Sequence, residues 1–173
     1  MAQTLRSYKG KTGTSCPNVA DWLAAYEGAE EVFVVTITGT LSGSYNAACA
    51  AKEICRQRDP SRRIHVVDSL SAGPEIALLI EKALSETRAG ADFDGVCRAV
   101  QEYRERTRLL FALESMHNLA QNGRVNRLVA TMAGVLGIRA VGQASAEGTL
   151  EMLGKARGAR RTRQLMLSEM ERL

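Results

Sequence analysis

Two short β-branched runs constrain this chain most: Glu31 to Ile37 (EVFVVTI) and Arg63 to Asp68 (RIHVVD), each followed by a polar loop and a helix-patterned segment. Both are apolar on odd and even positions alike, as strands covered on two faces should be. Thr38–Gly39–Thr40–Leu41–Ser42–Gly43 reads as a turn, and Ser44 to Arg58 as an Ala-rich helix that Asp59–Pro60–Ser61 breaks. Ser69 to Pro74 forms a second polar loop. Ile76 to Arg88 and Phe93 to Arg106 then read as amphipathic helices, separated by Gly90 to Asp92. A strand–loop–helix order that repeats predicts an α/β fold: a parallel sheet flanked by helices, with functional loops at the carboxyl ends of its strands.

Upstream of the first strand, residues 1–13 are polar and carry Gly10 and Gly13, the pattern of a leader or linker. Pro17 and Asn18 open a helix. Asn18 is a good N-cap, Asp21 follows three residues later, Val19, Trp22, Leu23 and Tyr26 mark one apolar face, and Gly28 ends it. After Thr107 the rhythm changes: a strand over Leu109 to Leu113, a helix over Ser115 to Gln121 and a stop at Asn122–Gly123. A helix over Val125 to Leu136, short strands over Ile138 to Ala144 and Thr149 to Leu153, and a helix from Arg157 to Leu173 complete the reading. The expected organisation is therefore a leader or linker over 1–13, an α/β parallel-sheet domain over 14–107 and a partial α+β second subdomain over 108–173.

Composition narrows the function classes. The 173 residues are 45% hydrophobic and 24% charged, ordinary for a folded soluble domain. Aromatics are 5%, too few for a module that stacks bases on rows of rings. The uncharged stretch from Leu128 to Ile138 is far short of a membrane span, and residues 1–12 hold no apolar core of a secretory leader. A cytoplasmic location is the expectation. Cys16, Cys49, Cys55 and Cys97 match no zinc or disulfide spacing and read as reduced, mostly buried thiols; His65 and His117 are isolated. Neither a metal nor a cofactor is expected. The net charge of +4 is concentrated after residue 154, where Lys155, Arg157, Arg160, Arg161, Arg163 and Arg172 face only Glu169 and Glu171. Such a stretch is either the solvated side of a helix or a surface for an acidic partner.

The Ser/Thr-rich loops are where chemistry concentrates. Thr14–Ser15–Cys16–Pro17 precedes one helix, and Thr38 to Ser44 leads from a strand into another. Hydroxyls beside the free N–H groups of a helix start suit an anion, because donors and dipole both favour negative charge. The anion is small: there is no GxxxxGK[ST] and no GxGxxG, and an uncharged, oxygen-rich loop fits one carboxylate better than a triphosphate. The same residues also serve as plain caps and turns, and that reading stays open. Ser42 lies at a strand-to-helix turn but within GxxSG rather than the GxSxG of a nucleophile elbow, and no histidine pairs with it in sequence. Hydrolysis is accordingly disfavoured, and a binding or carrier protein is expected rather than an enzyme.

In order along the chain, Thr14–Ser15–Cys16–Pro17, Leu41–Ser42–Gly43–Ser44–Tyr45, Val66–Val67–Asp68–Ser69, Leu110–Phe111–Ala112–Leu113, Asn122–Gly123–Arg124–Val125 and Lys155–Ala156–Arg157–Gly158 resemble the motifs of the bacterial DegV family. Each is short, but the ordered set runs from about residue 14 to 163. The resemblance implies a fatty-acid carrier in which Thr14, Ser15 and Ser42 hydrogen-bond the carboxylate, with the Gly43 amide nearby. It also implies an apolar tunnel between the subdomains, and delivery of the lipid to a fatty-acid kinase. Arg124 matches a family arginine at the mouth of the site, associated with kinase contact or phosphotransfer; a helix-end cation is the alternative. The family's chains are longer, with an opening strand bearing a DSTxD-like motif and a C-terminal portion that have no counterpart here. Asn18 and Gly39 stand where serines are usual. A fragment or a short homologue would leave a sheet edge unpaired, and self-association to cover it is then expected. The alternative function is an interaction or regulatory module that uses the basic C-terminal helix, with the lipid pocket vestigial. No nucleic acid is expected as a partner.

Overall fold

The computed structural model describes residues 13–116, 119–120, 122–124 and 137–173. Its first helix, α1 (Val19–Tyr26), is opened by a reciprocal cap: the Asn18 side chain accepts from the Ala20 and Asp21 amides at 2.8 and 3.1 Å, and Asp21 accepts from the Asn18 amide at 2.8 Å. Three orphan donors of the first turn are satisfied in this way. Strand β1 (Glu31–Thr36) follows, then α2 (Ser44–Arg58), β2 (Arg63–Asp68), α3 (Pro74–Arg88) and α4 (Phe93–Arg106). β1 and β2 pair in parallel from Glu31 opposite Arg63 to Thr36 opposite Asp68.

The double-sided hydrophobicity of β1 has its explanation in two separate cores. Val32 and Val34 face Tyr26, Ala48, Ala51 and Cys55 on the α1/α2 side. Phe33 and Val35 face Leu79, Ala83, Val96 and Val100 on the α3/α4 side. Small alanines on α2 let the helix approach the sheet closely, while Tyr26, 1% exposed, donates its hydroxyl to the Ala48 carbonyl at 3.0 Å. Burial, with Cys49 and Cys55 close by, pushes the Tyr26 phenol up to about 12. Among the described residues β1 and β2 pair only with each other.

A second, antiparallel sheet runs in the order β3 (Leu110–Leu113), β4 (Ile138–Ala144), β5 (Leu150–Arg157), and α5 (Gly158–Met170) packs against it. β4 is buried at Ala140, Val141 and Gly142, and the β4–β5 register shifts at Val141/Gly142. There a Cβ on Gly142 would stand 2.2 Å from the Glu151 carbonyl oxygen and 2.5 Å from the Phe111 ring, so only glycine fits.

Three sequence expectations need correcting. β5 is longer than Thr149 to Leu153, because it continues as an outer strand that covers β4 as far as Arg157. Ile37 falls outside β1, where the chain leaves the sheet for the turn at Thr38. The thiols are not mostly buried: Cys55 alone is, Cys49 and Cys97 are half-buried, and Cys16 is exposed on the loop ahead of α1. The expected helix over Val125 to Leu136, most of the leader, His117 and part of the Ser115 to Gln121 segment lie outside the described residues. Arg157, Arg160, Arg161 and Arg163 of the basic stretch are all exposed.

Candidate functional site

The carboxyl ends of β1 and β2 put two loops side by side. The loop after β1 folds on itself: the Thr38 carbonyl accepts from the Leu41 and Ser42 amides at 3.1 and 3.3 Å. Ser42 Oγ lies 2.9 Å from Ser44 Oγ and accepts from the Ser44 amide at 3.2 Å, satisfying an orphan donor at the start of α2. Gly43 is the N-cap of α2. No acidic side chain occupies the first turn of α2, so the positive end of its dipole is not offset there.

The first Ser/Thr loop meets the second at this point. A Cβ placed on Gly43 would stand 3.2 Å from Cys16 Sγ, so the Thr14–Pro17 segment lies against the Ser42–Gly43 turn. Thr14 and Ser15 are exposed on that segment, and Ser42 is half-buried. Hydroxyl-bearing residues from two loops, Thr14 and Ser42 being 28 positions apart, thus border a single helix start.

Arg124 brings a charged group to the second of these loops. A helical turn ends at Asn122–Gly123: Gly123, at φ 71°, donates to the Ala120 carbonyl and Arg124 to that of Leu119, both at 2.9 Å. This reversal, which needs the left-handed glycine, sends the Arg124 side chain back to the Ser42 loop, where Nε donates to the Leu41 carbonyl at 2.7 Å. The bond fastens a cation one residue from Ser42.

The supporting residues were less visible in sequence. Asp68 ends β2, and its carboxylate accepts from the Gly39 amide at 3.1 Å and the Leu70 amide at 3.0 Å, while its own carbonyl accepts from Arg104 at 2.9 Å. It is thus spent on backbone, holding the two loops together and supporting Leu70 at φ 53°. Tyr45 packs beside Gly39; a hydrogen bond with Cys49, the neighbouring thiol's charge and burial hold its phenol above the usual range. Thr38, fully buried, takes the Ser71 carbonyl with its amide at 2.8 Å and the Gly148 carbonyl with its hydroxyl at 3.0 Å. The Ser/Thr content of the loop signalled polar contacts there, but nothing local in the sequence announced that their partner is a hairpin more than a hundred residues away.

A cavity of about 420 Å³ opens on another side, between the β2–α3 loop, the end of α4 and the β4–β5 hairpin. Glu75, Arg104, Glu105 and Glu147 in its wall make it a poor home for an alkyl chain. No group of three or more acidic, histidine or cysteine side chains suited to a metal ion occurs among the described residues. Among those residues, too, no helix is long and apolar enough to cross a membrane.

The fold is thus a parallel-sheet α/β unit whose two Ser/Thr loops meet at the start of α2, together with an antiparallel sheet. The chain belongs to the DegV family, described as an uncharacterised protein family, whose profile matches residues 1–172. A DegV domain-containing protein of Streptococcus pneumoniae is 46% identical over 170 residues, 98% of this chain and 60% of the relative. The Streptococcus pneumoniae Fatty Acid Kinase (Fak) B3 protein, solved loaded with linoleic acid, superposes with a TM-score of 0.93 at 45% identity, over 98% of this chain and 60% of that one. A DegV family protein from Eubacterium eligens loaded with heptadecanoic acid gives 0.90 at 40% identity, over 98% and 61% of the two chains. The chain therefore spans about 60% of the length of the relatives it matches.

Proposed function

We propose that this chain binds a long-chain fatty acid as a carrier, without transforming it, and presents the lipid to a fatty-acid kinase. In this reading the Thr14, Ser15 and Ser42 hydroxyls and the Gly43 amide receive the carboxylate at the start of α2. Arg124 stands at the mouth, where it contacts the partner or assists phosphotransfer. The alkyl chain runs between an α/β unit over 14–107 and the second subdomain over 108–173.

The observation that carries the reading is the convergence of the two Ser/Thr loops at Cys16 and Gly43, with Arg124 fastened to Leu41 beside them. Support also comes from the likeness to two proteins solved with fatty acids. The energetics suit a carrier. Each methylene removed from water is worth about 0.8 kcal/mol, so a tail of about fourteen to sixteen methylenes dominates affinity. The hydroxyls then fix which end of the molecule faces out. Organic extraction of the natively purified protein followed by mass spectrometry tests the proposal: an acyl carboxylate in stoichiometric amount is expected, and lipid-free protein that also takes up no added fatty acid contradicts it.

A second reading, a docking module, draws on the exposed arginines of α5, Arg160, Arg161 and Arg163. It requires lipid-free protein whose binding to an acidic partner weakens steeply with salt.

A further inference from the structure

We propose that the tip of the β4–β5 hairpin is a clasp that positions the Ser42 loop, with the Gly148 carbonyl as its acceptor and Thr38 and Thr40 as the positioning residues. The inference rests on the carboxylate-site reading above and adds what holds that site in shape. Gly148 accepts from Thr38 Oγ1 at 3.0 Å and from Thr40 Oγ1 at 2.6 Å, so a single carbonyl uses both its lone pairs on one loop. The two hydroxyls are also 3.2 Å from each other. From Thr38 the connection continues inward, because the same residue's carbonyl accepts from the Leu41 and Ser42 amides. An unbroken series of hydrogen bonds therefore links the second sheet to the amide of Ser42.

The tip is built to hold its carbonyl still. Ser145 Oγ accepts from the Glu147 and Thr149 amides, each at 3.2 Å, and the Gly148 amide donates to the Ser145 carbonyl at 2.9 Å. Gly148 itself is buried at φ 76°, where a Cβ would lie 2.2 Å from Thr38 Oγ1 and 2.9 Å from Leu70 Cα. Only glycine allows so close an approach of hairpin to loop. Because the hairpin belongs to β4 and β5, any shift of the second sheet relative to the first is transmitted to the groups that would grip a carboxylate. The clasp thus couples opening between the subdomains to release of the head group.

Thr40 is exposed, so its substitution tests the clasp without opening a core. Three measurements on the whole chain separate the possibilities: amide hydrogen exchange at Leu41 and Ser42, dissociation of a fatty acid, and dissociation of the fatty alcohol of equal length. Thr40→Val should speed exchange at those two amides and fatty-acid release by about threefold to tenfold, the worth of one hydrogen bond. It should leave the alcohol's release unchanged and lower the denaturation midpoint by no more than about 2–4 °C, and Thr40→Ser should restore the original values. Gly148→Ala should exceed Thr40→Val in each effect. Unchanged exchange in Thr40→Val, or a Thr40→Ser chain that behaves like it, overturns the clasp. If wild type holds neither lipid, the carrier reading fails instead, and the exchange rates alone decide the clasp.

Discussion

Arg124 donates from Nε to the carbonyl oxygen of Leu41 at 2.7 Å, across 83 residues of sequence. Leu41 precedes Ser42, and the Leu41 and Ser42 amides both hang from the Thr38 carbonyl, so this guanidinium closes one side of the loop while the β4–β5 hairpin closes the other. Arg124→Ala removes a charge-assisted bond and the cation beside the proposed head group. Fatty-acid retention should fall about tenfold, more than the few-fold loss from removing one neutral hydroxyl. Arg124→Lys keeps the charge but not the planar Nε donor, and should recover only part of the loss in a competition assay with a fluorescent fatty acid.

Asn18→Ala should cost about 1 kcal/mol, since it removes the side-chain acceptor of the Ala20 and Asp21 amides at the start of α1, although the Asp21 carboxylate can still accept from the backbone amide at position 18. For a chain of this size that lowers the thermal midpoint by about 2–4 °C. Because α1 begins five residues after Thr14, the same variant should loosen the Thr14–Pro17 loop, read as faster amide exchange there. A midpoint unchanged within error would mean that the cap is not coupled to the fold.

Two glycines of the second sheet should respond differently to alanine. At Gly142 the new methyl meets the Glu151 backbone at 2.2 Å, which cannot move aside without breaking the β4–β5 register. At Gly154 it meets only the end of the Leu165 side chain, at 3.0 Å. Gly142→Ala should destabilise by about 2–3 kcal/mol and Gly154→Ala by under about 1 kcal/mol in urea titrations.

His65 supplies a pH dependence. Burial, with a smaller contribution from Lys52, holds its imidazole below the ordinary value in the folded protein. The unfolded chain therefore takes up the proton first, at a pH of about 6.5. Stability from this residue is fully present above that value and is lost as pH falls through the folded pKa. His65→Gln should flatten the fall in unfolding free energy between neutral and mildly acidic pH; an unaltered slope would place the titration elsewhere.

Much of the α/β unit was legible in sequence because its signals are local. The boundaries of α2, β2 and α4 follow from Ala-rich and amphipathic spacing, Asp59–Pro60 and the Asp92 cap, and the double-sided pattern of β1 foretold a core on each face. The position of the Ser/Thr loops ahead of α1 and α2 was legible for the same reason. What was not legible is contact between distant segments. Asp68 reads as a strand end, yet its carboxylate is a tie between loops. Gly148 reads as a hairpin turn, yet its carbonyl is committed to Thr38 and Thr40. The exposure of Cys16 escaped notice too, because cysteine is usually buried and only the loop's position at the surface decides otherwise.

The account stands on a carboxylate held at the start of α2, and one comparison addresses it most directly. Equilibrium binding of a long-chain fatty acid and of the fatty alcohol with the same chain should be measured for the wild-type chain and for Ser42→Ala. The account predicts that wild type prefers the acid by about tenfold or more, and that Ser42→Ala lowers that preference a few-fold while leaving alcohol binding unchanged. Equal affinity for acid and alcohol in the wild-type chain would contradict it.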